Sequence, residues 1–289
     1  MVLRGRRLGG AVCSDISGMT AFLQIGWTWY PSVLIGFGLW TLLYAWANRG
    51  RQTPLAQQVA FHLGTLAGLV ALVSPLDELG DEYLFCAHMV QHLLLMFVTA
   101  PLWLIGTPGR LVDEIIPKGL DGFFKRLASP LFAFLTFVGV MWFWHVPTVY
   151  EMAQESEVIH ILEHLTFIGA ALIGWWPVAG AEKSHLSRPA PPAGMLYLFL
   201  LAIPCTSLAA ILTFAHTPLY PFYVTAPHIF GLDALQDQHL GGLLMWLPTH
   251  LFLLLAIGIT FFKWFLDSDQ QARQNFMKAE GADSPVRSA

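Results

Sequence analysis

The chain has 289 residues, of which 55% are hydrophobic and 12% are charged, and its mean hydropathy is +0.57. Because soluble domains carry about 25% charged residues, this composition excludes an ordinary soluble protein and predicts a chain that lies mostly in a membrane. The net charge of −4 gives no indication of nucleic-acid binding.

Seven apolar runs are each long enough to cross a bilayer as a helix, which takes about 20 residues. The runs cover residues 27–47, 55–74, 83–106, 130–147, 158–178, 193–215 and 239–266. Their apolar character is continuous rather than alternating, which favours helices over the strands of a β-barrel. The sequence therefore predicts an all-α integral membrane bundle of seven transmembrane helices.

The bundle is expected to form one membrane domain, residues 27–266, between two more polar ends. Residues 1–26 are an N-terminal segment, and the polar residues 267–289 are predicted to be a disordered cytoplasmic tail. Between the third and fourth spans, residues 110–128 interleave apolar and charged side chains. That pattern predicts an amphipathic helix lying at the cytoplasmic interface.

The distribution of lysine and arginine predicts the orientation of the bundle. These residues occur in loops 48–54, 107–129 and 179–192 and in the C-terminal tail, whereas the three other loops contain none. Basic loops stay on the cytoplasmic side. The C-terminus is therefore expected in the cytoplasm, and seven crossings put the N-terminus outside.

Two pairs of histidines lie near those ends of the spans that are predicted to face outside. His88 and His92 open the third span, and His160 and His164 open the fifth. The four-residue spacing puts both imidazoles of a pair on one helix face, about 6 Å apart along the axis. Because polar side chains are costly inside a membrane, two such pairs at matched depth predict a metal or cofactor site.

Three acids on the same side, Asp77, Glu163 and Asp237, are candidates for secondary ligands or for groups that orient the histidines. Imidazole suits copper, zinc, iron and nickel, and nearby methionine thioethers favour Cu(I) over Cu(II). Met141 and Cys205, by contrast, are interpreted as packing residues. The predicted metal site faces outward and comprises His88, His92, His160, His164, Asp77, Glu163 and Asp237.

Other interpretations of the histidines stay open at this point. The stretch His160-Ile161-Leu162-Glu163-His164 matches the H-x-x-E-H motif of zinc proteases, in which Glu163 would be the general base. A zinc hydrolase also needs a third protein ligand and an open coordination position. Haem held by one histidine from each pair is another alternative, and a scaffold whose histidines only pair with acids is a further one.

Several motifs, in order along spans two to seven, resemble those of a known family. They are Ser74-Pro75-Leu76-Asp77, Ala87-His88-Met89-Val90-Gln91-His92-Leu93-Leu94-Leu95, His160-Ile161-Leu162-Glu163-His164, Trp175-Trp176-Pro177, and Asp237-Gln238 with Gly241-Gly242-Leu243-Leu244-Met245-Trp246. With these motifs the chain resembles the polytopic CtaG-type family of caa3-type cytochrome c oxidase assembly factors.

The resemblance implies a multi-pass protein of the bacterial inner membrane that helps to mature a haem–copper oxidase and is not an enzyme. It implies delivery of copper to the buried copper centre of the oxidase, which agrees with the donor groups described above. The implied partners are the oxidase subunit that carries this centre, an extracytoplasmic copper donor and the lipid bilayer.

Overall fold

The structure, a computed structural model, describes residues 25–181, 184–186 and 188–282. These residues form helices and connecting turns, with no β-strand among them. The helices are α1 (Pro31–Ala47), α2 (Leu55–Val73), α3 (Pro75–Glu82), α4 (Phe85–Gly106), α5 (Gly109–Ile115), α6 (Asp121–Leu127), α7 (Pro130–Trp144), α8 (Pro147–Glu155), α9 (Glu157–Ala179), α10 (Pro191–Thr213), α11 (Pro221–Thr225) and α12 (Ala234–Ala282).

Each apolar run of the sequence coincides with one of these helices, and the all-α membrane fold is confirmed. Five helices, α2, α4, α9, α10 and α12, are long and apolar enough to cross a membrane. Helix α7 qualifies only together with α6, to which it is joined at a bend of 65°, and α1 is shorter, with 17 residues. Leu39, Leu251 and Phe262 are among many large apolar side chains on the outer surface, where lipid is the solvent. The count of seven spans and the orientation of the ends stay predictions.

Helix α4 changes its winding directly after its histidine pair. Residues Leu94–Thr99 form a π-helical segment between two α-helical segments. Pro101, which follows, has no N–H to donate to a carbonyl of the preceding turn. The Met96 carbonyl accepts instead from the Trp175 indole N–H at 2.8 Å. This bond ties α4 to α9 one turn beyond the histidines, and π-helical turns of this kind are frequent at functional sites.

The amphipathic helix predicted at 110–128 is two short helices rather than one. Helix α5 ends at Ile115 because Ile116 precedes Pro117 and takes an extended backbone with ψ of 116°. A 3₁₀ turn then leads into α6. The prediction of a single helix was wrong, since Pro117 cannot continue the hydrogen-bond ladder.

Helix α5 is fastened to the loop that precedes α10. The Asp113 carboxylate accepts hydrogen bonds from the Ser184 hydroxyl at 2.7 Å and from the His185 backbone N–H at 3.0 Å. Desolvation raises the pKa of Asp113, but the hydrogen bonds from Ser184 and His185 outweigh it. Together they hold this pKa below its usual value. The acid therefore stays ionised near neutral pH and keeps the loop docked.

The last helix is much longer than the seventh predicted span. It continues beyond residue 266 to Ala282, so the prediction of a disordered tail was wrong for residues 267–282. This polar stretch contains a helix-stabilising ion pair at i,i+4 spacing, between Arg273 Nε and Asp269 Oδ2 at 2.9 Å. Residues 1–24 and 283–289, at the two ends, lie outside the described residues.

Paired glycines let α12 approach its neighbours closely. A Cβ at Gly241 would clash with the Phe85 ring of α4. A Cβ at Gly242 would clash with the Thr213 side chain and would lie 2.7 Å from its backbone nitrogen. The motif Gly241-Gly242 is therefore a packing device that brings α12 against both α4 and α10.

We predict that Gly242→Ala destabilises the protein by about 1–3 kcal/mol, because the added methyl group meets backbone that cannot move aside without shifting a helix. The measurement is thermal or denaturant unfolding of the detergent-solubilised protein. Gly258→Ala is the matched control on the same helix, since a Cβ there would meet nothing within 4 Å. Equal stability of the two variants would contradict this account of the glycine pair.

Candidate metal centre

The two histidine pairs meet in one cluster between α4 and α9. His88 lies 5.4 Å from His160 and 5.9 Å from His164, measured between ring centroids. His92 lies 5.5 Å from His164. All four side chains are buried, with exposures between 0% and 8%. The third and fifth predicted spans are therefore in contact, and the four predicted histidines form one site, which we call the histidine cluster (His88, His92, His160 and His164).

Helix α3 adds a carboxylate to this cluster. A Cβ at Gly80 would lie 2.9 Å from the His88 backbone nitrogen, so the glycine is what lets α3 approach α4 so closely. The next residue, Asp81, is buried, and its Oδ1 lies 3.4 Å from His160 Nε2 and 4.0 Å from His88 Nδ1. Sequence reasoning did not select Asp81, although the acids Asp77 and Asp81 have the i,i+4 spacing of one helix face.

The ligand atoms are close enough to share a metal ion. Two overlapping groups, His88/His92/His164 and Asp81/His88/His160, each bring their ligand atoms within 4.8 Å of one another. Nitrogen and oxygen ligands lie about 2.0–2.2 Å from a zinc ion, which separates the ligand atoms of a tetrahedral site by about 3–4 Å. The cluster therefore offers one or two adjacent positions for an ion bound by imidazole and carboxylate.

Glu163 supplies a second carboxylate at the centre of the cluster. Its Oε1 lies 3.7 Å from His92 Nε2, and its Oε2 lies 3.9 Å from His88 Nε2. Glu163 is fully buried, and within the described residues neither oxygen has a hydrogen-bond partner. Both ring nitrogens of His92 and Nε2 of His164 also lack one there. Buried polar atoms without partners are rare and costly, so the arrangement is one that a bound cation would complete.

Asp77 lies beside the cluster but in neither candidate ligand group. Its Oδ1 accepts a hydrogen bond from the Gln91 side-chain amide at 2.7 Å, which fixes α3 against α4. Burial, and then the neighbouring Asp81 carboxylate, raise the pKa of Asp77 to about 7. The structure thus gives Asp77 a direct contact with the helix that bears two of the histidines.

Asp237, also a predicted site residue, contacts the start of α4 rather than the histidines. Its Oδ2 accepts a hydrogen bond from the Phe85 backbone N–H at 2.6 Å, and its Oδ1 accepts one from the Cys86 N–H at 3.0 Å. These are unpaired N–H groups of the first turn of α4, where a negative charge is also favoured by the helix dipole. Asp237 therefore caps α4 and holds its histidine pair in register with α12.

The short helices α8 and α11, which lie in connections between longer helices, cover one side of the cluster. The side chains of Phe85, Tyr150, Tyr220 and Tyr223, here called the aromatic roof, are all buried. Tyr223 donates to the Gly80 carbonyl at 2.8 Å and contacts the Tyr150 hydroxyl at 2.9 Å. The Tyr150 ring stands 5.5 Å from that of His88. The aromatic roof covers His88 on this side of the cluster.

A lateral cavity reaches the cluster instead. It has a volume of about 400 Å³ and lies between α1, α4 and α9. One end is polar, lined by Asp77, Asp81 and the rings of His160 and His164, and the rest is lined mainly by apolar side chains. An ion or a small carrier can approach the histidines along this cavity from the side of α1.

The two alternative chemistries fit this geometry less well. A haem between the pairs needs space for a macrocycle beside the imidazoles, but Phe167 packs 4.4 Å from the His92 ring and Tyr150 packs against His88. In the H-x-x-E-H motif, His160 and His164 would hold one zinc ion together. Here Glu163, the general base of that motif, is fully buried and faces His88 and His92 of α4 rather than open space.

Comparisons with known proteins point to one family. The sequence model of the cytochrome c oxidase caa3 assembly factor family matches residues 38–267. An uncharacterized protein of Mycobacterium bovis and one of Mycobacterium tuberculosis are each 23% identical over 252 residues, covering 80% of this chain and 37% of theirs. One of Mycobacterium leprae is 21% identical over 253 residues, covering 81% and 38%. The chain thus spans less than two fifths of the length of these relatives, and no solved structure matches it.

We predict that Glu163→Gln stabilises the metal-free protein, because it replaces a buried carboxylate that lacks donors with a neutral group of the same shape. The gain is expected to be about 1–3 kcal/mol at pH 8, measured by unfolding in the presence of a chelator. Glu155→Gln, an exposed acid on α8, is the control and should change little. A Glu163→Gln variant that is equally or less stable without metal would contradict the unpaired-carboxylate account.

Proposed function

The chain belongs to the cytochrome c oxidase caa3 assembly factor family, and we propose that it supports oxidase assembly by carrying copper. The ion is held at the histidine cluster and is passed to the copper centre of a haem–copper oxidase. The partners under this proposal are the oxidase subunit that bears this centre and an extracytoplasmic copper donor. The protein acts as a multi-pass membrane metallochaperone rather than as an enzyme.

The observation that carries this proposal is the buried group of imidazoles around Glu163. Within the described residues, both carboxylate oxygens and several imidazole nitrogens there have no hydrogen-bond partner. A cation removes this penalty, because it is coordinated by the nitrogen lone pairs and its charge is balanced by Glu163 and Asp81. Imidazole with carboxylate suits copper, and copper is the metal that the proposed client protein needs.

Some of the nitrogen and oxygen donors are proposed to bind the ion directly, and the others to hold those ligands in place. His88, His92 and His164 are the proposed primary ligands, and His160 with Asp81 offers a neighbouring position that shares His88. Glu163 supplies charge and orients His92. Asp77 and Asp237 act from outside the ligand set, since each fixes α4 through a hydrogen bond. A metal carrier must also release its ion, and three-ligand positions next to a lateral cavity suit exchange better than a closed four-ligand site.

We predict that His88→Ala/His164→Ala lowers bound copper by about one ion per chain, because it removes two ligands of one group and one of the other. The measurement is elemental analysis of gently purified protein, and again after loading with copper and desalting. His62→Ala is the matched control, since His62 is exposed on α2.

Unchanged copper content in the double variant would contradict the proposal, and so would wild-type protein that takes up no copper. Zinc is loaded in a parallel sample. If zinc binds and copper does not, the cluster is a zinc site and copper delivery is refuted. A Soret band in the purified protein would instead support the haem alternative.

A further inference from the structure

A second group of metal donors lies next to the histidine cluster, around a small cavity of about 20 Å³ between α4, α7, α10 and α12. That volume holds one occupant of the size of a water molecule. Four of the nine methionines of the chain line it. They are Met89, Met96, Met141 and Met245. The thiol of Cys205 lines it as well, so sulfur surrounds the cavity from four helices.

His145 adds a nitrogen donor to this sulfur-lined cavity. Its Nδ1 contacts the Met141 carbonyl oxygen at 2.7 Å, which requires the proton on Nδ1 and leaves a lone pair on Nε2. The side chain is only 6% exposed, and within the described residues Nε2 has no hydrogen-bond partner. An imidazole whose Nδ1–H is bonded to a backbone carbonyl is the arrangement in which Nε2 commonly binds a metal.

The sulfur atoms already stand at the separation that a shared ion requires. Cys205 Sγ lies 3.9 Å from Met141 Sδ, across the contact between α10 and α7. Two sulfur ligands at about 2.3 Å from one ion, the metal–sulfur distance of zinc thiolates, are about 4 Å apart in a trigonal site. Both residues are buried, at 4% exposure each. Ordinary packing accounts for methionine in a core, but not for a buried histidine that borders the same cavity and has no hydrogen-bond partner at Nε2 within the described residues.

The chemistry of the donors selects a soft, singly charged ion. Thioether and thiolate ligands favour Cu(I) over harder divalent ions. A thiol that binds a metal does so as the thiolate, so loading releases the Cys205 proton to the solution. The thiolate then balances the single charge of Cu(I). The complex is neutral, as the low dielectric of a buried site requires.

We propose that this sulfur-lined cavity is a Cu(I) site, with Met141, Cys205 and His145 as its ligands. The site is distinct from the histidine cluster, but His92 belongs to the cluster and also lines the cavity. The His92 and His145 rings are 6.4 Å apart. If copper binds at the histidine cluster as proposed above, His92 can bind the ion in either site and so pass it from one to the other.

The test is X-ray absorption at the copper edge on the full chain, reduced and loaded with two equivalents of Cu(I) under anaerobic conditions. We expect about two Cu(I) bound per chain, with sulfur as well as nitrogen scatterers. Met141→Leu/Cys205→Ser should bind about one fewer and lose the sulfur signal. Met152→Leu, an exposed methionine on α8, is the control and should match the wild type.

A wild-type spectrum without sulfur scatterers at two equivalents overturns the proposal, and this result does not depend on how any variant folds. An unchanged sulfur signal in Met141→Leu/Cys205→Ser overturns it as well. The two proposals fail separately. His88→Ala/His164→Ala should bind about one Cu(I) fewer and keep the sulfur signal. An undiminished copper content in that variant, with the sulfur signal present, counts against the histidine cluster alone.

Discussion

Glu163 is buried within the histidine cluster, where its two carboxylate oxygens face His92 and His88 and accept no hydrogen bond from the described residues. A carboxylate without donors inside a membrane bundle is expensive, and the fold tolerates it only because the surrounding helices are held firmly. Most of the unusual local features serve that purpose. The π-helical segment of α4, the Trp175 bond to the Met96 carbonyl and the close approach at Gly80 all fix the helices that carry the histidines. A cation at the cluster, as proposed above, would supply the charge balance that the protein atoms alone do not.

The motifs that lie far from the cluster in sequence support it rather than join it. Asp237 caps the helix that begins three residues before His88, and Gln238 accepts a hydrogen bond from the Leu219 backbone N–H at 2.6 Å. The adjoining glycines bring α12 against α4 and α10. One short stretch of α12 thereby sets the position of three other segments, which explains how the acid, amide and glycines of this motif work together without touching a metal.

The sequence predicted the helices and both histidine pairs well, because long apolar runs and i,i+4 spacing are local signals. Contacts between residues that are far apart in the sequence could not be predicted from these local signals. Asp237 reaches the start of α4 across about 150 residues, and His145, Met141 and Cys205 meet only because α7 packs against α10. The sequence does not single out Asp81, because residues 75–82 lie between two apolar runs in a stretch whose composition is typical of a loop. Ser74 before Pro75 is in fact a helix-start signal, and the structure has the Ser74 hydroxyl accepting from the Leu76 N–H.

The two donor groups differ in character, and the difference suggests a direction for the metal. The nitrogen and carboxylate donors lie beside the lateral cavity, whereas the sulfur donors lie on the other side of His92. An anomalous difference map at the copper edge, from crystals of copper-loaded protein, shows whether a metal ion occupies the histidine cluster. We expect a peak within bonding distance of His88, His92 and His164. A fully loaded crystal with no peak at the cluster would contradict copper binding there.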